Sequence, residues 1–163
     1  MLTADAAWRA LEGVPDPEVP VISVVELGII RHVAVDDAGA VAVTITPTYS
    51  GCPAMFEIEK DVRCALLAAG AADVTVTTVL SPAWTTDWIP ASAREKLRAY
   101  GIAPPGKADV GGLVSLTRAR TPVPCPWCGS TATELRSEFG STACKAIHVC
   151  TSCRQPFDEF KAI

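Results

Sequence analysis

CPWCG at residues 125–129 and CTSC at residues 150–153 govern how the rest of the chain is read. In each string two cysteines stand three positions apart, a spacing that lets one tight turn present both sulfurs to a single ion. Pro126 and Gly129 suit the first turn, and the second string completes a tetrahedron from Cys125, Cys128, Cys150 and Cys153. Twenty-one residues separate Cys128 from Cys150, close to the spacing of a four-cysteine zinc ribbon. We therefore expect residues 122–163 to form such a ribbon. So short a piece buries too little to fold unaided, and structural zinc contributes ~10–16 kcal/mol to comparable units. Four thiolates around a divalent ion carry net negative charge, which Lys145, Arg154 and Lys161 are expected to offset.

Tetrahedral sulfur ligation also admits iron, and CPxCG turns occur in rubredoxin-type sites, so zinc is expected and iron stays open. A rubredoxin-like electron carrier is the alternative function this leaves. Five of the seven cysteines fall in the last 39 residues, a clustering that in a reducing compartment points to metal rather than disulfides. Cys144 is a fifth thiol where four suffice. It reads either as a buried small side chain on a ribbon strand or as a thiolate, favoured by Lys145, in transient metal or redox chemistry. His148 reads as a packed or surface histidine.

Moving toward the N-terminus, GIAPPGKADVGG (residues 101–112) breaks every helix and strand period, so residues 101–121 are expected to be a linker. Residues 1–121 carry ten Lys/Arg against fourteen Asp/Glu, and residues 122–163 carry four of each. A ribbon of zero net charge on an acidic domain has no basic face for phosphates, which excludes nucleic acid. No apolar run approaches the ~20 residues of a membrane span. The first residues lack a basic stretch followed by an apolar one, so no secretory signal is expected and the chain reads as cytoplasmic.

Residues 1–100 are expected to form an α+β domain, a small three-stranded sheet with helices on one face. Thr3 caps a helix through Leu11, and PDPEVP (residues 15–20) turns. Residues 21–27 fit a β-branched strand or a short helix. Alternation over residues 29–35 and 40–46 predicts a hairpin, and Met55, Ile58, Val62 and Leu66 recur at helical spacing over residues 53–69. DVTVTTVL (residues 73–80) reads as the third strand and residues 91–100 as the last helix.

In TPTYSGCPA (residues 46–54), Cys52 directly precedes Pro53, a residue favoured at the first helical position. Cys52 is therefore expected near the N-cap, where the helix dipole favours a thiolate. It reads as a metal-binding or reactive thiol, or as a buried turn cysteine. Cys64 lies ~18 Å along the same helix and on its opposite face, so it is a bystander. Asp16, Glu18 and Asp87 are carboxylates at element ends that could support a site at Cys52; each alone suits a capping or turn role. Trp84 and Trp88 either anchor an interface or cover one end of the sheet. With His32 and His148 the only histidines, the chain cannot build a di-iron oxygenase site, and it has no GxGxxG or P-loop. It is therefore not expected to be an enzyme.

DPEVP (residues 16–20), LGIIR (27–31), TPTYSGCPA (46–54), LSPAWTTDWI (80–89), CPWCG (125–129), FGSTACK (139–145) and PFDEFK (156–161) resemble the PaaD (PaaJ) family. That family is associated with bacterial phenylacetyl-CoA 1,2-epoxidase. The first part also resembles iron-sulfur assembly factors of the SufT type. The resemblance implies an accessory of the oxygenase, delivering iron or iron-sulfur clusters to it or to its reductase. It implies the oxygenase and reductase polypeptides as partners, a transient cluster as cargo, and a role for Asp16, Glu18 and Cys52, with Cys52 touching the metal. A homodimer is left open.

Overall fold

The structure is a computed structural model and describes residues 2–107 and 121–163. The described residues pack as two units, Met1–Trp84 with Trp88–Pro90, and Thr85–Asp87 with Ala91–Ile163.

In the first unit Thr3 Oγ1 accepts the Ala6 N–H and starts α1 (Ala4–Glu12), which buries Ala7 and Leu11, one turn apart. Residues 21–27, open between strand and helix in the sequence, form neither. Ser23 and Glu26 make a reciprocal box, each side chain accepting the other's N–H at 3.1 and 3.0 Å, around a single helical turn closed by Leu27 N–H to Ser23 C=O. The Ser-x-x-Glu spacing is the one such a box requires. Gly28 then reverses the chain at φ +78°, where an added Cβ would lie 3.0 Å from Trp88 Cβ.

The sheet has the order β1-β2-β3. β1 (Ile30–Val35) and β2 (Ala40–Ile45) form the expected hairpin, its turn fixed by Asp36 Oδ1 accepting the N–H groups of Ala38 and Ala40. β3 (Asp73–Thr78) runs parallel to β2, so the connection must cross over the sheet, and α2 (Met55–Ala68) is that crossover. Val33, Val41, Val43, Ile45 and Val74 are buried while Ala34, Ala42 and Thr75 on alternate positions are exposed. α2 buries Ile58, Val62 and Leu66, and Cys64 is exposed, as its spacing predicts.

The second unit holds α3 (Ala91–Ala99) and a sheet of β4 (Ile102–Ala103), β7 (Pro156–Phe160), β6 (Lys145–Cys150) and β5 (Thr133–Ser137), in that order. This differs from the expected division at residue 100. α3 packs on β4, and β4 pairs in parallel with β7, so both belong with the ribbon. The Gly- and Pro-rich flanks of Ile102 and Ala103 disguise a two-residue strand as the start of a linker. Residues 108–120 of the expected linker lie outside the described residues. Arg94 closes this segment, donating to the carbonyls of Thr86 and Pro105. No helix among the described residues is long and apolar enough to cross a membrane.

Candidate functional site

The sulfurs of Cys125, Cys128, Cys150 and Cys153 all lie within 4.8 Å of one another. Cys125 and Cys153 are 3.7 Å apart, and Cys128 and Cys150 3.6 Å. A tetrahedron of ~2.3 Å metal–sulfur bonds requires edges of ~3.8 Å, so the donor set fits zinc or another ion that prefers four thiolates. The two turns are built alike. Gly129 N–H reaches Cys125 C=O at 2.8 Å, and Arg154 N–H reaches Cys150 C=O at 2.9 Å. Both turn residues have positive φ, +74° at Gly129 and +67° at Arg154. Cys125 N–H and Cys150 N–H then bond the carbonyls of Ser130 and Gln155, and Ser130 Oγ lies 2.8 Å from Ser152 Oγ.

Crowding separates the titrations of these thiols. The Cys153 N–H aimed at its sulfur pulls Cys150 down to about 6. The Gln155 N–H favours a thiolate at Cys153, but burial and the three neighbouring sulfurs push that thiol up to about 12. Neighbouring thiolates repel one another, and a cation between them removes the conflict.

The expected counter-charges are placed differently. Lys145 lies five residues up β6 from Cys150, ~17 Å at ~3.3 Å per residue, with Nζ 4.0 Å from Asp158 Oδ2. Lys161 Nζ bonds the Glu138 carbonyl and sits over the Phe139 ring. Only Arg154 adjoins a ligand. Cys144 is buried just before β6, ~20 Å from Cys150 by the same measure, with Sγ 3.0 Å from Thr142 Oγ1. A strand separates residues that a turn would bring together, and Cys144 is outside the ribbon's sulfur cluster. Of the packed and surface readings of His148, the structure shows the packed one: Nε2 is 2.7 Å from Glu159 Oε2, and the ring stacks on Phe157.

Three of the motif strings meet at one end of the first sheet. Thr46 N–H bonds the Ile29 carbonyl, and Val79 N–H bonds the Ile45 carbonyl. The segments around residues 29, 46 and 79 are thereby neighbours, and the Cys52 loop leaves from the C-terminal end of β2. Cys52 is half-buried and is not the helix cap. α2 begins at Met55 with Ala54 as cap, and Cys52 C=O accepts the Met55 N–H in a turn of its own. Asp16 is buried, and one carboxylate oxygen accepts the N–H groups of Glu18 and Val19 at 2.9 and 2.8 Å, so it holds the PDPE turn. Glu18 is half-buried on that turn. Asp87 is exposed in the short 3-10 turn Thr86–Trp88 and belongs to the second unit.

Trp84 donates its indole N–H to Leu27 C=O at 2.9 Å, and the Arg31 guanidinium lies 3.6 Å over the Trp88 ring. Of the two readings that the sequence offers, these contacts match the cover on the sheet end. Thr46 carries no signal in the sequence that marks it for a site. It is 1% exposed, and among the described residues its hydroxyl has no hydrogen-bond partner.

Residues 111–161 match the family model of the PaaD zinc beta ribbon domain, and residues 4–80 match that of the iron-sulfur cluster assembly protein. A protein of Escherichia coli (strain K12) described as a putative subunit of 1,2-phenylacetyl-CoA epoxidase is 47% identical over 96% of this chain and 91% of its own length. The chain belongs to the PaaD family. The first half of this PaaD chain is also similar to the Fe-S protein maturation auxiliary factor SufT of Staphylococcus aureus (strain USA300), 40% identical over 44% of the chain and 82% of the relative. Among solved structures, conserved hypothetical protein TM0487 of Thermotoga maritima covers 59% of the PaaD chain with 94% of its own, at 31% identity and a TM-score of 0.52. A domain of unknown function DUF59 from Bacillus anthracis covers 58% with 90% of its own, at 28% identity and a TM-score of 0.54. In PaaD terms, the four-cysteine centre falls in the ribbon and Cys52 in the iron-sulfur assembly half.

Proposed function

We propose that this PaaD chain is a non-catalytic accessory of 1,2-phenylacetyl-CoA epoxidase that hands iron or an iron-sulfur cluster to the epoxidase or its reductase. The observation carrying this reading is the 47% identity, along nearly the whole chain, to the E. coli protein described as one of the subunits of that epoxidase. The similarity of the first half to maturation factors supports metal as the cargo. Cys52 is the residue that touches the cargo, from a loop anchored at the sheet end. Asp16 serves that site indirectly, since its carboxylate is committed to the PDPE turn. Glu18 and Asp87 are secondary candidates. The resident ion at Cys125, Cys128, Cys150 and Cys153 is zinc, which holds the ribbon together and takes no part in transfer. The chain works in the cytoplasm, where its thiols stay reduced.

Epoxidase polypeptides co-expressed with Cys52→Ala should carry less iron and show activity near background, while the variant keeps its zinc and its melting temperature. Full iron loading and activity with this variant would overturn the reading.

A further inference from the structure

The first metal turn carries a side chain that reaches outside the ribbon hairpins. Trp127 stands between ligands Cys125 and Cys128, 53% exposed, with Nε1 3.4 Å from the Pro156 carbonyl. Its ring lies against Gly101, the residue that ends α3 through N–H to Arg98 C=O. A Cβ at Gly101 would collide with Trp127 Cζ2 and Cη2. The indole thus occupies the place of a side chain at residue 101. Two residues on, Ala103 is buried in one cluster with Cys125, Cys150 and Phe157.

The segment held in this way has little means of holding itself. α3 has nine residues, fewer than the ~12–15 an isolated helix needs. β4 pairs with β7 at only two positions, Ile102 with Asp158 and Ala103 with Glu159. Besides that short ladder and the Arg94 bonds to the Thr86 and Pro105 carbonyls, what holds it to the ribbon is Trp127 and the core that the ligands Cys125 and Cys150 complete.

We infer that Trp127 ties metal occupancy at the four cysteines to the docking of α3 and β4, so that residues 91–103 are held in place only while the ion is bound. The metal-dependent unit then begins about thirty residues before the first ligand, judged by the pairing of α3 with β4 and of β4 with β7. This rests on metal binding by the ribbon and is independent of any role for Cys52.

Amide hydrogen exchange on the full chain, loaded with Zn2+ or stripped by chelator, tests it. Chelation should speed exchange across residues 91–103 at least tenfold, together with β6 and β7, and leave β2 and β3 unchanged. Zn2+-loaded Trp127→Ala should keep one zinc per chain and protection in β6, yet exchange over residues 91–103 as fast as the stripped wild type. Trp127→Phe keeps a ring over Gly101 and should restore most of that protection. Persistent protection of residues 91–103 in the stripped wild type would overturn the inference, whatever the variants do. So would equal protection of that segment in Zn2+-loaded Trp127→Ala and wild type.

Discussion

The four ribbon cysteines and Cys52 are the same chemical group in opposite settings. In the ribbon, backbone hydrogen bonds fix the turns that carry the ligands, and the set of four sulfurs is complete within one chain. Cys52 stands on a loop between a strand and a helix, and the ribbon quartet is the only group of three or more Cys, His, Asp or Glu donors gathered for a metal among the described residues. A complete set retains an ion, whereas the transfer role proposed for Cys52 asks only for a thiol that an ion can leave. The difference lies in geometry, since both sites sit on turns with a positive-φ glycine nearby, at Gly51 and Gly129.

Cys125→Ser attacks the comparison hardest. It should abolish zinc binding and, with it, the ~10–16 kcal/mol that drives folding of such units. The far-UV signal of the second unit should be lost while the first unit still unfolds cooperatively in urea. Zinc content equal to wild type would break the ribbon assignment. Asp16→Ala should cost about 1–2 kcal/mol by removing an acceptor from two N–H groups, seen as a lower urea midpoint of the first unit with zinc unchanged. An unshifted midpoint would remove Asp16 from the support of the Cys52 end.

The smallest effect compares the two metal turns with each other. Gly129→Ala should destabilise the ribbon and Arg154→Gly should stabilise it, each by about 1 kcal/mol, because both positions demand positive φ. Competition with a zinc chelator reads both, and a shift in the same direction for the two variants would show that the turns are not equivalent.

Much of the molecule is legible in the sequence because the decisive residues are close along the chain. A CxxC pair needs one turn, a hairpin needs two alternating strands and a Gly39 at its bend, and α2 shows its buried face in Ile58, Val62 and Leu66. What escapes depends on partners far along the chain. The apolar positions of α3 show that Ala93 and Leu97 are buried, but not against which sheet. Ile102 and Ala103 carry no period of their own, and their partner strand comes some fifty residues later. Cys144 is close to Cys150 by count, yet extended backbone puts the two at opposite ends of β6. Pro53 suits the first helical position and so suggests that the helix starts there with Cys52 near its N-cap, whereas the chain spends residues 52–55 on a separate turn and the helix starts at Met55.

The chain has four tryptophans, and three of them, Trp8, Trp84 and Trp88, belong to the first unit. Trp127 is therefore the single indole in the ribbon, half in solvent and half against a glycine backbone. A difference spectrum between wild type and Trp127→Phe isolates the emission of one half of the molecule, and the remaining three indoles report the other. The protein carries its own pair of optical channels, one for each unit.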